Sequence, residues 1–224
     1  MDRKQLVYGL VAAAVVALAV MAYLVFFGGS GNLTVSGDKL NVVLSPTEHT
    51  LGSPNAPVQF VEYAAPTCPH CAHWNETVFP QLKRTYIDTG KVYYVFRVFP
   101  LSSVDVAVEA MARCLPKESY FQFMDMMFRN QDKWDPDGYN IPDIHGALVN
   151  MGRIAGMSQE KVDTCISNQD ELNEISAIGQ HATKAYGING TPTFIVNGDL
   201  NRTAVTWQAV QDLLNPMLQK QAQK

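Results

Sequence analysis

The sequence has no excess of positive charge. Its 17 lysines and arginines are outnumbered by 21 aspartates and glutamates, so the formal net charge is −4. Nucleic-acid-binding domains normally carry a basic patch or stripe. This balance therefore argues against a nucleic-acid partner.

The sequence has only four cysteines, and a single C-x-x-C spacing, Cys68 to Cys71. Haem attachment through this motif requires a histidine directly after the second cysteine, where Ala72 stands instead. A four-cysteine zinc site is also unsupported, because Cys114 and Cys165 lie far apart in the chain. We therefore expect neither metal nor cofactor, although a partial metal site and an inert buried dithiol remain alternatives.

Long hydrophobic runs are absent except for residues 6–27, which contain no charge across 22 positions. Arg3 and Lys4 precede this run, an arrangement that keeps the N-terminus cytosolic and exports the rest of the chain. Because the run exceeds the core of a signal peptide, we expect residues 1–27 to be a retained membrane anchor. A cleaved signal is the alternative, for which Ala17-Leu18-Ala19 offers a cleavage pattern.

Residues 28–49 are expected to form a tether, because Gly, Ser, Asn and Thr are frequent in their first part. Residues 40–44 within it are predicted to form a short edge strand. An even number of cysteines in an exported chain is typical of an oxidising compartment. We therefore predict an extracytoplasmic, periplasmic location with attachment to the bacterial inner membrane.

Cys68-Pro69-His70-Cys71 lies between an apolar, strand-like run at residues 57–63 and an amphipathic, helix-like run at residues 72–88. Cys68 is predicted to be the N-cap, with Pro69 at the first helical position, where its missing N–H costs nothing. The free N–H groups of the first turn would then point at the Cys68 sulfur and favour its thiolate.

The helix end alone can lower the pKa of Cys68 by only about one unit. A macrodipole contributes roughly 0.3 to 1 kcal/mol, up to about 2 when partly buried, and one pKa unit is about 1.4 kcal/mol. A larger drop needs direct hydrogen bonds and a favourable neighbour, for which His70 is the candidate. In this interpretation Cys68 is the attacking or attacked sulfur, and Cys71 resolves the mixed disulfide.

A second motif, Thr191-Pro192, precedes a strand-like run at residues 194–196 and a turn at Asn197-Gly198. A C-x-x-C after one strand and a Thr-Pro before another resembles the thioredoxin fold. The resemblance implies that Pro192 is cis and abuts the dithiol, whereas an ordinary trans loop proline is the alternative.

The Cys-Pro-His-Cys motif, with Glu62 six residues earlier and a long helical stretch before the proline, resembles the DsbA family of extracytoplasmic thiol oxidases. The resemblance covers about residues 51–214. It implies an α/β thioredoxin-like fold, with a core at residues 50–100 and 186–224 and a helical insertion at 101–185. Within the insertion, apolar residues recur at helical spacing in four segments, 104–115, 120–128, 141–155 and 172–186.

The resemblance places Glu62 beneath the dithiol, where a buried carboxyl can exchange a proton with Cys71. A surface glutamate paired with a basic group is the alternative. For Cys114 and Cys165 we expect a structural disulfide, which would close a loop of about 50 residues and contribute roughly 4 kcal/mol. Two free thiols or an electron relay remain open, since members of the family differ in this second pair.

The predicted function is a thiol:disulfide oxidoreductase that donates the Cys68-Cys71 disulfide to unfolded exported proteins and is reoxidised by a DsbB-like membrane oxidase. Thr191 is a departure, because the best-known DsbA proteins have valine before the cis-proline. Isomerases and reductases of this fold often have threonine there, so such an enzyme is the first alternative. A membrane-tethered metal-binding or chaperone module is the second.

Overall fold

A computed structural model describes residues 42–44 and 48–222. The strands are β1 (His49–Leu51), β2 (Val58–Ala64), β3 (Val92–Val98), β4 (Thr193–Val196) and β5 (Asp199–Asn201). The helices are α1 (Pro69–Thr77), α2 (Phe79–Leu82), α3 (Ser103–Arg113), α4 (Tyr120–Arg129), α5 (Gln131–Trp134), α6 (Ile144–Ile154), α7 (Gln159–Ser167), α8 (Gln169–Tyr186) and α9 (Trp207–Ala222). A π-helical turn (Lys83–Ile87) follows α2, and a 3-10 turn (Lys117–Ser119) precedes α4.

The five strands form one sheet in the order β1-β3-β2-β4-β5. Strands β2 and β3 are parallel, and the other three pairings are antiparallel. The parallel pair is the pairing expected from strand, helix, strand, because such a connection crosses over the sheet. The sheet and its helices confirm the predicted α/β thioredoxin-like fold.

Alternation along β2 sends successive side chains to opposite faces of the sheet. Phe60 packs in the larger apolar cluster with Trp74 of α1, whereas Val61 packs in a second cluster with Ala182 of α8. Glu62 has the same parity as Phe60, so its carboxyl lies on the face that carries α1.

The region between β3 and β4 is helical, from α3 to α8. The predicted segments agree with α3, α4, α6 and α8 to within a few residues, and Ser158 is the N-cap of α7, accepting a hydrogen bond from the N–H of Lys161 at 3.1 Å. The C-terminal part of α8 belongs to the core as well as to the insertion, because Ala182 packs on the sheet. The predicted limits of the insertion, 101 and 185, therefore stay a prediction.

Two local predictions were wrong. The edge strand next to β3 is β1 rather than residues 40–44, since Val42 to Leu44 have no regular structure and residues 40 and 41 lie outside the described part. The active-site helix is also interrupted at Val78, which is the N-cap of the next helix, α2. Pro80 causes the break, because it has no N–H to continue the helical hydrogen bonds.

The predicted anchor at residues 1–27 and most of the predicted tether lie outside the described residues. Within residues 42–44 and 48–222, no helix is both long enough and apolar enough to span a bilayer.

Candidate thiol-disulfide site

Cys68 is the N-cap of α1, with extended backbone angles of φ −73° and ψ 117° and with Pro69 in the first turn. Its sulfur accepts a hydrogen bond from the backbone N–H of Cys71 at 3.4 Å. The sequence produces this geometry because proline at the first helical position fixes a helical φ immediately after the cap.

The two sulfurs have opposite acid-base properties. A hydrogen bond from the Cys71 thiol, supported by the backbone N–H groups of Cys71 and His70, lowers the pKa of Cys68 from 9.0 to about 6. Burial raises the pKa of Cys71 well above its ordinary value, and the neighbouring Cys68 sulfur raises it further. At neutral pH the site therefore holds one thiolate, Cys68, and one thiol, Cys71.

The Thr191-Pro192 peptide bond is cis, and it lies against the dithiol. When Cys68 is protonated, its thiol donates to the backbone carbonyl of Thr191 at 3.5 Å. The buried side chain of Thr191 lies beside the same sulfur and also lowers the pKa of Cys68. The loop itself is tied down by Thr193, whose hydroxyl donates to the Gly190 carbonyl at 2.7 Å.

Glu62 lies on β2 and is only 2% exposed, so it is not a surface glutamate paired with a basic group. The hydroxyl of Tyr94, on the adjacent strand β3, donates to its carboxylate at 2.5 Å. Burial raises the pKa of Glu62 to about 8, the Tyr94 hydrogen bond opposes this rise, and the charge of Cys68 adds to it. Glu62 is therefore protonated in most molecules at pH 7.

Tyr94 was missed in the sequence, although its position follows from the pairing. It lies opposite Phe60, two residues along β2 from Glu62, and on the same face of the sheet. The sequence does not reveal the contact between Tyr94 and Glu62, because it depends on the register of β2 against β3.

The side chain of His70 does not contribute in the expected way. It is exposed, and its residue acts on Cys68 through its backbone N–H. Trp74 is 1% exposed and donates its indole N–H to the carbonyl of Ala204 at 2.9 Å, so it packs inside the domain.

The segment before Cys68 is fixed by Asp105 of α3, a fully buried carboxylate. Asp105 accepts hydrogen bonds from the backbone N–H and the hydroxyl of Thr67, at 2.8 and 3.2 Å. It also accepts from the N–H groups of Leu101 and Ser102, at 2.8 and 3.0 Å. Its position three residues after Ser102 is a capping signal that predicts a helix start, but nothing in the sequence links it to Thr67.

Cys114 and Cys165 are joined by a disulfide, with Cα atoms 6.2 Å apart. Cys114 ends α3 and Cys165 lies in α7, so the bond ties two helices of the insertion together. Cys68 and Cys71 are both reduced in this structure.

Within the described part of the chain, no three His, Cys, Asp or Glu side chains are grouped so that they can hold an ion.

Comparison with known proteins places this geometry in a family. The thioredoxin family model matches residues 44–216. A protein-disulfide oxidoreductase of Rickettsia bellii is 34% identical over 161 residues, which cover 71% of this chain and 61% of the relative. Disulfide bond formation protein D of Bacillus cereus is 32% identical over 159 residues, which cover 69% and 72%.

The crystal structure of Wolbachia pipientis alpha-DsbA1 superposes with a TM-score of 0.70 at 28% identity, covering 80% of this chain and 94% of that one. The chain belongs to the DsbA family. The chain spans about three fifths of the length of its rickettsial relative.

Proposed function

We propose that this DsbA-family protein is an oxidase, which donates the Cys68-Cys71 disulfide to unfolded exported proteins. The observation that carries this proposal is the difference between the two thiols, since the pKa of Cys68 is lowered to about 6 and that of Cys71 is raised. A stabilised Cys68 thiolate favours the reduced enzyme. An enzyme whose reduced form is stabilised gives its disulfide away.

The first step uses both cysteines and a proton. A substrate thiolate attacks the Cys68 sulfur, the Cys68-Cys71 bond breaks, and its electron pair moves to the Cys71 sulfur. Because the pKa of Cys71 is high, that sulfur takes up a proton as it leaves. Glu62, buried on the same face and protonated at pH 7, is the proposed donor.

The second step releases the enzyme. A second substrate thiolate attacks the substrate sulfur of the mixed disulfide, the bond to Cys68 breaks, and Cys68 leaves as a thiolate. A thiol of lower pKa leaves faster, so the lowered pKa of Cys68 favours its departure from the mixed disulfide. The products are a substrate disulfide and a reduced enzyme.

The thiolate supplies only part of an oxidase potential. At pH 7, a Cys68 pKa of about 6 in place of 9.0 stabilises the dithiol form by about 1.4 kcal/mol, or about 30 mV. The distance from thioredoxin, at about −270 mV, to DsbA, at about −120 mV, is about 150 mV. The rest of an oxidase potential would come from other interactions that stabilise the dithiol form or destabilise the disulfide form.

The proposal is tested with the oxidised full chain and a reduced peptide that contains two cysteines. We expect stoichiometric peptide oxidation, read by thiol trapping, and loss of this activity in Cys68→Ser. Cys114→Ala/Cys165→Ala is the control and should retain it. A peptide that stays reduced, while the reduced enzyme repairs a scrambled substrate, would instead show an isomerase.

The isomerase or reductase is a real second candidate because of Thr191. The Thr191 side chain lowers the pKa of Cys68, whereas the Thr191 backbone carbonyl accepts from the Cys68 thiol and favours its protonated form. This contact favours a less oxidising enzyme, and the same peptide and scrambled-substrate assays separate the two.

We further propose an extracytoplasmic enzyme, anchored through residues 1–27 and reoxidised by a DsbB-like membrane oxidase. The support is the uncharged run at residues 6–27 and the disulfide-containing domain that follows it. Recovery of the full-length chain in the soluble fraction of lysed cells would contradict the anchor.

A further inference from the structure

Three consecutive residues before α1, Pro66, Thr67 and Cys68, are held by side chains from the helical insertion. Gln131 of α5 donates from its Nε2 to the carbonyl of Pro66 at 2.7 Å and to the carbonyl of Cys68 at 3.2 Å. It is 7% exposed. Asp105 holds Thr67 between these two carbonyls.

The contact of Gln131 uses its full donor capacity. A carboxamide nitrogen carries two hydrogens, and each reaches one of the two carbonyls. The Cys68 carbonyl also accepts the first hydrogen bond of α1, from the N–H of Ala72 at 3.0 Å. Gln131 therefore binds the same peptide unit that starts the active-site helix.

The position of Gln131 is itself fixed. Trp134, three residues later, is fully buried and donates its indole N–H to the carbonyl of Met127 at 2.9 Å. The N–H of Asp135 donates to the carbonyl of Gln131 at 2.9 Å. The short helix α5 is thus held by a buried side chain and two hydrogen bonds.

We propose that Gln131 is a positioning residue for thiol-disulfide exchange, whose carboxamide holds the Pro66 and Cys68 carbonyls so that the Cys68 sulfur faces the N–H groups of α1. The inference rests on the proposed role of Cys68 as the exchanging sulfur. Gln131 does not touch the reacting sulfur and acts through the backbone that carries it.

The expected consequence follows from the geometry of the cap. The N–H of Cys71 reaches the Cys68 sulfur at 3.4 Å, and hydrogen bonds weaken steeply as their angle departs from linear. If the Pro66 and Cys68 carbonyls are released, the cap residue can rotate and this bond weakens. The Cys68 thiolate then loses part of its stabilisation.

The test is a thiolate titration of the reduced full chain, followed by ultraviolet absorbance, in wild type and Gln131→Met. Methionine keeps the length of the side chain and removes both donors. We expect the Cys68 midpoint to rise by about half a pH unit or more, a roughly threefold smaller thiolate fraction below the midpoint. Gln81→Met is the matched control, since it removes a donor to the Thr77 carbonyl at a similar distance, 2.8 Å, and should leave the midpoint unchanged.

A role confined to packing would lower the resistance of Gln131→Met to urea and leave the Cys68 midpoint where it is in wild type. That result would overturn the proposal. If Gln131→Met fails to fold, Gln131→Asn, which shortens the side chain and stays polar, is titrated under the same criterion. The titration reads Cys68 whether the enzyme oxidises, reduces or isomerises, so a failure here is distinct from a failure of the proposed oxidase function.

Discussion

At the scale of single residues, the site combines three buried groups that differ in whether they hold a proton at neutral pH. Cys68 is a thiolate at neutral pH, Cys71 is a thiol, and Glu62 is protonated beside its Tyr94 donor. The C-x-x-C spacing predicts which residues exchange disulfides. It does not predict the partner of Glu62, because that contact comes from strand register.

The raised pKa of Glu62 has a defined effect on stability. Between its ordinary value of 4.5 and about 8, the folded chain holds a proton that the unfolded chain releases, so stability falls as pH rises. This group contributes at most about 1.4 kcal/mol per pH unit. Glu62→Gln has no such titration, so its free energy of unfolding should improve relative to wild type as pH rises from 5 to 8.

Urea unfolding of both reduced proteins at pH 5, 6.5 and 8 measures this difference. Cys68 has the opposite sign, since its pKa is lowered from 9.0 to about 6, and it stabilises the reduced protein as pH rises over that interval. Because both proteins contain Cys68, its direct contribution largely cancels. A difference that stays constant from pH 5 to pH 8 would argue against a protonated, buried Glu62.

At the scale of elements, the insertion supports the active-site helix as well as adding to the fold. Helix α3 supplies Asp105, and helix α5 supplies Gln131, to the three residues before α1. Helix periodicity predicts most of these helices because each buries one apolar face. Periodicity says nothing about which polar side chain reaches across to another element, so both contacts required the structure.

The Cys114-Cys165 disulfide links α3 and α7 across 51 residues of sequence. A loop of this length constrains the unfolded chain by roughly 4 kcal/mol. Cys114→Ala/Cys165→Ala should therefore lower the free energy of unfolding by roughly 2 to 5 kcal/mol, measured by denaturant unfolding with Cys68 and Cys71 reduced. The Cys68 thiolate titration should not move, and a shift of its midpoint would instead couple this bond to the active site.

At the scale of the whole molecule, the sequence predicts the sheet better than its edges. Residues 92–98 and the Asn197-Gly198 turn are clear in the pattern, and both are present, the turn with φ of 48° and 84°. The edge strand was misplaced because three residues, His49–Leu51, are too few to show alternation. The helix break at Val78 was not predicted, because Pro80 alone interrupts an otherwise helical pattern.

The central claim is that this chain is built to give its disulfide away, and the reduction potential of Cys68-Cys71 tests it most directly. The chain from residue 28 onward, and the same chain with Cys114→Ala/Cys165→Ala, would be equilibrated with glutathione and scored by thiol trapping. We predict a value near or above about −150 mV, toward that of a strong oxidant, in both proteins. A value below about −200 mV would contradict the oxidase and indicate a reductase that needs an electron donor.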